Sequence, residues 1–383
     1  MIAPVAMDFG LNEDQELLQR SAREFLEREC PPEFVRVVAK SEDGHPRAFH
    51  DQIAQLGWTG LMIPEQYGGA GLALLDLALL SEEMGRAAMP GPFFSSSVLA
   101  TLALIHGGSA AQKKMWLPRL ASGETVATLT LLEADDRLDA DGIKAKARKA
   151  RGAYRLSGAK MFVTDAHVSD VILAAFRTAG KSEDGVTLFL VPRDTPGVVV
   201  KPLESIDLTR RPAEVEFRDV EVPASAVLGS EGAGWKTVAK VLDAAAVVLA
   251  ADSLGGAEKA LEMAVGYSKM REQFGRQIGS FQAVKHIAAE MVSDIEPARS
   301  LVWYAAYAQD ALPREAAKAA SMAKARLSDV YSRTANRAVQ IHGGIGFTWE
   351  HDMHLWFKRA KWNELAFGDP SYHRERLARL AKF

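Results

Sequence analysis

The chain has 383 residues, of which 48% are hydrophobic and 25% charged, enough to bury a large core and to form about two or three domains. The net charge is −3, and the 46 basic and 49 acidic residues form no basic tract of the kind that binds nucleic acid. The single cysteine excludes an internal disulfide, and no Cys or His cluster has metal-site spacing. The longest apolar run, Ala244–Ala251, is too short to cross a bilayer, and no signal-peptide core is found. We therefore expect a cytoplasmic protein without a membrane span.

The first part of the chain has helical periodicity. Apolar residues recur at spacings of three and four, as in LLQRSAREFLEREC and LALLDLALLSEEMG. Breaks fall at Pro64, at Gly68 to Gly71 and at Pro90 to Pro92. The pattern predicts an N-terminal helical domain over residues 1–123.

The pattern then changes to short β-rich runs separated by Gly, Asp and Pro. They include YRLSGAKMFVT, DVILAAF, VTLFLVP, GVVVKPLE and AEVEFRDVEVP. These runs predict a middle β domain of about half a dozen strands over residues 124–234.

Helical periodicity returns in four long segments, at about Trp235–Met270, Phe281–Ala311, Arg314–Ile341 and Glu350–Lys382. Long helices joined by short connections predict an antiparallel bundle over residues 235–383. The predicted fold class is therefore α+β, with an N-terminal helical domain, a middle β domain and a C-terminal four-helix bundle.

Five strings occur in order along these segments. They are IPEQYGGAGL (63–72), QKKMWLPRLASGE (112–124), LSGAKMFVTDA (156–166), REQFGRQIGSFQ (271–282) and AVQIHGGIGFTWE (338–350). Together they resemble the motifs of the acyl-CoA dehydrogenase family, and the resemblance runs nearly end to end. It implies the three-domain fold of that family, FAD as cofactor and acyl-CoA as substrate.

The resemblance implies two groups of FAD-binding residues. The group that meets a neighbouring subunit's FAD comprises Arg271, Phe274, Gln282, Gln340, Gly343 and Gly344. The group beside the chain's own flavin ring comprises Thr130, Phe162 and Thr164. Arginine supplies a forked, charge-assisted donor to a diphosphate, and glycine lets backbone approach the cofactor closely. Because the first group acts across an interface, an oligomer is part of the inference.

The chain departs from the family at its catalytic positions. Removing the proton next to the thioester carbonyl needs a positioned carboxylate base. The usual Y-E-G-T string is AFGD here, which places Phe367 at the base position. A minority of the family takes the base from the first helix of the last domain, where Ala245 stands, followed by Ala246. The family's T-E-P-x-A-G-S-D turn retains only Thr130.

The loss is uneven, because the chain's own acyl-CoA site is degraded while the residues for a neighbour's FAD remain. A noncatalytic subunit that completes a catalytic partner's flavin site would have this split. The string HGGIGFTWEHDMHLWFKRAK resembles partner subunits of heteromeric bacterial acyl-CoA dehydrogenases of steroid breakdown. That likeness implies a heterotetramer, bulky or steroid-derived CoA thioesters and electron-transfer flavoprotein as the electron acceptor.

Two alternatives stay open. One is a self-sufficient homotetrameric flavoenzyme with a displaced base, for which the candidates are Asp369, Glu364 and Asp252. That base would be a buried carboxyl with a raised pKa beside the flavin. The other is a flavin-free structural subunit. The nearby histidines are interpreted as surface or packing residues: His342, His351, His354 and His373.

Overall fold

A computed structural model describes residues 10–150 and 152–382. Its first region contains six α-helices and a π-helical segment, Phe94–Ala100: α1 Glu13–Glu29, α2 Pro32–Lys40, α3 Arg47–Gln55, α4 Leu74–Arg86, α5 Thr101–Gly107 and α6 Ala110–Ala121. Asn12 and Gln15 form a capping box that starts α1, and Ser109 and Gln112 do the same for α6. These caps satisfy backbone donors that a helix start leaves free.

The middle region is one seven-stranded sheet: β1 Ala127–Thr130, β2 Lys146–Ala150, β3 Ala153–Thr164, β4 Val171–Arg177, β5 Val186–Pro192, β6 Val198–Pro202 and β7 Pro212–Pro223. The order is β1-β4-β2-β3-β7-β6, with β5 paired to β4. β1 runs parallel to β4, whereas β3 pairs antiparallel with β7. One face packs on its own apolar core, which includes Phe176, Phe189 and Phe217.

The last region is helical: α7 Gly234–Met270, α8 Gln282–Ala311, α9 Ala316–His342, α10 Met353–Leu365 and α11 Pro370–Ala381. A small hairpin, β8 Glu272–Gln273 and β9 Arg276–Gln277, joins α7 to α8. α4 and α7 cross with their backbones in close approach. A Cβ on Gly85 would clash with the Asp252 carbonyl, and one on Gly255 with the Glu82 carbonyl. Glycine is required at both positions for this reason.

The α+β organisation predicted from the sequence is confirmed, with one correction in the bundle. The segment 350–382 was predicted as one helix, but it forms α10 and α11 separated by a turn at Ala366–Asp369. Phe367 and Gly368 have φ of 56° and 98°, which an α-helix does not accommodate. Asp369 then caps α11, whose first residue is Pro370.

Candidate functional site

The three predicted flavin-side residues lie on β1 and β3, which are not adjacent in the sheet. Thr130 ends β1, and Phe162 and Thr164 end β3. The Thr128 hydroxyl donates to the Thr164 carbonyl at 2.7 Å, and the Met161 amide donates to the Leu132 carbonyl at 2.9 Å. The structure therefore brings the two strand ends together.

Phe162 is turned outward by a β-bulge. The register between β3 and β7 shifts between Lys160 and Val163, and Phe162 has φ of 55°. Its side chain is 53% exposed, whereas Thr164 beside it is buried. Bulges change the direction of side chains near functional sites. Here the bulge turns the Phe162 ring toward solvent.

The divergent turn after Thr130 has a structural explanation. Glu133 accepts from the Lys144 and Ala145 amides, both at 2.9 Å, and pairs with the buried Lys160 ammonium at 2.8 Å. Asp135 pairs with Lys144 at 2.6 Å. Glu133 and Asp135 are therefore engaged by partners within the chain.

The second predicted group lies at one end of the helical bundle, and we call it the exposed cluster: Arg271, Phe274, Gln282, Gln340, Gly343 and Gly344. All six residues are exposed, and Phe274 reaches 93%. Arg271 has no ion-pair partner within residues 10–150 and 152–382. The cluster therefore presents an unpaired cation, an amide and open glycine backbone outward.

A ring stack holds the two halves of the exposed cluster together. Tyr267, one turn before Arg271, stacks on His342 with ring centroids 4.6 Å apart. The His342 ring nitrogen Nδ1 contacts the Ala338 carbonyl at 2.7 Å, which fixes the ring beside Gly343. In the part of the chain that is described, no hydrogen bond or ring contact joins this cluster to Thr130, Phe162 or Thr164.

The position expected for the catalytic base is filled by packing. Phe367 packs edge-on against Phe94 with ring centroids 5.7 Å apart, and Phe94 packs edge-on against Trp362 at 6.2 Å. We call these three rings the aromatic plug. The Arg210 guanidinium lies 5.9 Å from the Phe94 ring and 5.3 Å from the Trp362 ring. At the alternative base position, Ala245 is fully buried in α7.

Buried polar groups hold the turn that carries Phe367. Lys324 Nζ donates to the carbonyls of Glu364 at 3.2 Å and Gly368 at 2.9 Å. Burial lowers the pKa of Lys324 to about 7. His373 Nε2 contacts the Phe367 carbonyl at 3.1 Å, and burial lowers the pKa of His373 to about 3, so the ring is neutral at pH 7. Phe367 is thus anchored on both sides.

Each of the three candidate displaced bases is engaged elsewhere. Asp369 accepts from the Tyr372 amide at 2.7 Å as the cap of α11. Glu364 accepts from the Ser332 hydroxyl at 2.5 Å and the Lys361 ammonium at 2.8 Å. Asp252 is buried between two arginines, as described below. The arrangement gives each carboxylate a structural partner.

Comparison with known proteins decides the family. Three acyl-CoA dehydrogenase models match the chain: the N-terminal domain over residues 12–124, the middle domain over 128–220 and the C-terminal domain over 232–381. The chain belongs to the acyl-CoA dehydrogenase family. "Probable acyl-CoA dehydrogenase YngJ" of Bacillus subtilis (strain 168) is 32% identical to it over 380 residues, which span 97% of this chain and 99% of that protein.

Two solved structures are also similar. A chain of the ChsE4-ChsE5 complex from Mycobacterium tuberculosis matches with a TM-score of 0.88 and 28% identity over 98% of this chain and 100% of that chain. A chain of a variant of the Tcur3481-Tcur3483 steroid ACAD matches with a TM-score of 0.85 and 30% identity over 97% and 98% of the two chains. The family's fold thus extends over the whole described chain.

FAD is the cofactor of this family, and the residues present fit it. The Thr130 hydroxyl is buried and has no hydrogen-bond partner within the described residues. Buried polar atoms are nearly always hydrogen-bonded, so this hydroxyl is suited to a group that binds there. A Cβ on Gly343 or Gly344 would meet nothing within 4 Å, which leaves room for a ligand against the backbone.

A buried ionic cluster at the junction of the three domains was not predicted. Arg359 donates to Asp207 at 2.9 Å and Asp252 at 3.0 Å, and to the carbonyls of Ala88 and Met89 at 3.1 and 3.0 Å. Arg210 donates to the same Asp252 oxygen at 3.2 Å. Two cations and two carboxylates therefore balance each other. These arginines and aspartates lie far apart in the sequence, and no pattern in the sequence predicts that they contact each other.

Asp165 is a second residue that sequence reasoning missed. It follows Thr164 with φ of 58°, is buried, and accepts from the Ser95 hydroxyl at 2.7 Å. Burial raises the pKa of its carboxyl. Its place next to a predicted flavin residue could have drawn attention, but an acidic residue at a strand end is usually exposed.

Within the described residues, no group of three or more His, Cys, Asp or Glu residues could hold a metal ion. Over residues 10–150 and 152–382, every helix is too short or too polar to cross a membrane.

Proposed function

We propose that this chain is the noncatalytic subunit of a heteromeric FAD-dependent acyl-CoA dehydrogenase, in which it completes the FAD site of a catalytic partner. The observation that carries the proposal is a contrast within one chain. The aromatic plug contains Phe367, the residue at the expected base position, whereas the exposed cluster faces solvent. This contrast supports a role at a partner's cofactor and not at the chain's own substrate.

The residues at the two expected base positions cannot take a proton. A positioned general base typically contributes about a hundredfold to ten-thousandfold in rate, and neither Phe367 nor Ala245 has a titratable group. The cavity beside Phe94 and Asp252 has a volume of only about 20 Å³. A water molecule needs roughly 10–15 Å³ of such volume, so no acyl chain fits in it.

The exposed cluster offers groups that suit a flavin dinucleotide. Arg271 is placed to pair with the diphosphate, and Gln340 offers amide hydrogen bonds. The glycine backbone at Gly343 and Gly344 permits close approach. On the chain's own sheet, Thr130 and Thr164 would contact the ring edge and Phe162 its face. Bound FAD supplies the hydride acceptor; the exposed cluster would hold the FAD of the partner, and the three sheet residues would hold a flavin ring on this chain.

The substrate class is proposed as bulky, steroid-derived CoA thioesters, oxidised at the bond between the carbons α and β to the carbonyl. Support comes from the likeness to the Tcur3481-Tcur3483 steroid ACAD and to the ChsE4-ChsE5 complex. The ChsE4-ChsE5 structure is a complex, which also favours a heterotetramer. Electron-transfer flavoprotein is the proposed acceptor for the electrons that leave the FAD.

The test changes Arg271 in this chain and measures FAD in the purified complex with its native partner. A charge-assisted hydrogen bond contributes about 1.5–3 kcal/mol, so Arg271→Ala should weaken FAD binding roughly tenfold to hundredfold. Flavin absorbance and activity should both fall, although the partner's sequence is untouched and size-exclusion chromatography still shows assembly. Arg20→Ala, an exposed change on α1, should leave both unchanged.

Two results would contradict the proposal. A complex with Arg271→Ala that stays fully flavinated and active would mean that this chain does not complete its partner's cofactor site. An isolated chain that oxidises a CoA thioester at rates ordinary for the family would favour the self-sufficient enzyme. In that case Asp369→Asn, Glu364→Gln and Asp252→Asn would identify the displaced base.

A further inference from the structure

A cavity of about 230 Å³ lies where the three domains meet. It is bounded by α2, by the segment at Asp207–Leu208 that follows β6, and by α10 with the residues before it. Small-molecule sites occur preferentially at domain interfaces, and those for drug-sized ligands measure about 300–1,000 Å³. The cavity is therefore suited to a smaller ligand.

The charges around this cavity leave an excess of positive charge. Arg36 is paired with Asp352, and Asp207 is paired with Arg359, so these four charges cancel. Lys40 and Lys358 also line the cavity, and neither has a carboxylate partner within the described chain. Their two positive charges favour an anion.

One wall of the cavity is apolar and aromatic. The Trp349 side chain is 60% exposed, and the Lys358 ammonium lies 3.8 Å from the centroid of its ring. Leu208 and Leu355 continue this wall. Covering the indole with an apolar group would remove hydrophobic surface from water, which favours binding. A ligand with an apolar body therefore fits better than a bare inorganic ion.

His354 provides an unsatisfied polar group in the same cavity. It is only 6% exposed, and neither ring nitrogen has a hydrogen-bond partner in residues 10–150 and 152–382. Buried polar atoms without partners are rare and call for an explanation. Burial, together with the nearby cations Lys358 and Arg36, lowers the pKa of His354 to about 4. The neutral ring offers one N–H donor to a ligand oxygen.

We propose that this cavity binds a small aromatic carboxylate. The carboxylate is held by Lys40, Lys358 and the His354 N–H, and the aromatic ring packs against the Trp349 indole. The site goes beyond the proposed flavin function and does not rest on it, because none of the nine proposed FAD residues lines the cavity.

The test uses benzoate as the probe and ¹⁹F NMR of the purified chain labelled with 5-fluorotryptophan. The Trp349 signal among the seven tryptophans is assigned with Trp349→Phe. Benzoate should shift this signal saturably, whereas benzyl alcohol should not, because it lacks the charge. Inorganic phosphate should bind at least tenfold more weakly, because it lacks an apolar body.

Lysine variants test which positive charges bind the carboxylate of benzoate. Lys40→Gln and Lys358→Gln should each weaken benzoate binding about tenfold, the loss expected when a charge-assisted hydrogen bond is removed. Lys40 is exposed, so its variant is expected to fold normally. Lys236→Gln, also at an exposed lysine without an ion pair in the described chain, should bind as the parent does.

Three results would overturn the proposal. They are a Trp349 signal that benzoate leaves unmoved, phosphate binding as tight as that of benzoate, and benzoate binding by both cavity variants as tight as that by Lys236→Gln. The first result would mean that benzoate does not bind in the cavity. The second would mean that the apolar wall does not contribute to binding, and the third that the two lysines do not.

Discussion

Replacing Arg359 with methionine would remove the cation that links all three domains. The guanidinium is fully buried and donates to two carboxylates and two main-chain carbonyls. Arg359→Met leaves Asp207 and Asp252 buried with only Arg210 to balance them. Breaking a buried pair from one side typically costs about 3–5 kcal/mol, because a charge remains in the interior without compensation. We expect a loss of that size in the free energy of unfolding.

The matched control is an arginine whose ion pairs are exposed. Arg155 contacts Asp219 at 3.4 Å and Glu221 at 3.2 Å with about half of its side chain in solvent. Such pairs contribute about 0–1 kcal/mol, so Arg155→Met should have a small effect. Urea unfolding at a fixed protein concentration, followed by tryptophan fluorescence, compares the two variants.

A double-mutant cycle tests whether the cost comes from charge. Asp252→Asn in the Arg359→Met background restores the balance between Arg210 and Asp207, so the double variant should lose less than the sum of the two single losses. Contacting charges in one network typically couple by about 0.5–3 kcal/mol. The reasoning is refuted if the losses add, or if Arg359→Met costs no more than Arg155→Met.

Three further predictions concern single side chains. Asp165→Asn keeps the Ser95 contact but removes a carboxyl whose pKa is raised by burial. The variant should have a higher melting temperature than the parent at pH 7. This difference should shrink as the pH falls, because the Asp165 carboxyl of the parent becomes protonated. Lys324→Met removes an amine whose pKa is lowered to about 7 by burial. Above that pH the native parent binds fewer protons than its unfolded state, so the stability of the parent relative to this variant should increase from pH 6 to pH 9. A stability difference that stays constant with pH would contradict the lowered pKa. Phe94→Ala should cost about 3–5 kcal/mol by opening the aromatic plug, whereas Phe162→Ala at an exposed ring should cost far less, as chemical denaturation would measure.

The fold class was predictable because its signals are local. Helical and alternating periodicities give the order of helix, sheet and bundle directly, and capping residues such as Asn12 mark helix starts. The split of the last segment was also visible in the letters FGDP. They contain a glycine, a capping aspartate and a first-turn proline, which together signal a stop and a new start. Helical periodicity continues on both sides of these four residues, and for that reason it predicts a single helix.

The environment of the candidate site could not be read in the same way. Whether Asp252 is a free base or a paired structural acid depends on Arg210 and Arg359, which lie 42 and 107 residues away. The role of Phe367 likewise depends on Phe94, from another domain. Residue types at motif positions indicated which chemistry is missing. Only packing across the domains explains what replaced it.

The residues that replace the catalytic groups and those of the exposed cluster differ in what they do for stability. Phe367 gains from burial against Phe94, so selection for a stable fold is enough to retain it. Phe274 has the opposite balance, because it leaves 93% of its surface in water. Arg271 likewise has no intrachain ion pair within the described residues. Fold stability therefore does not account for either residue, which fits their proposed role at a partner's FAD.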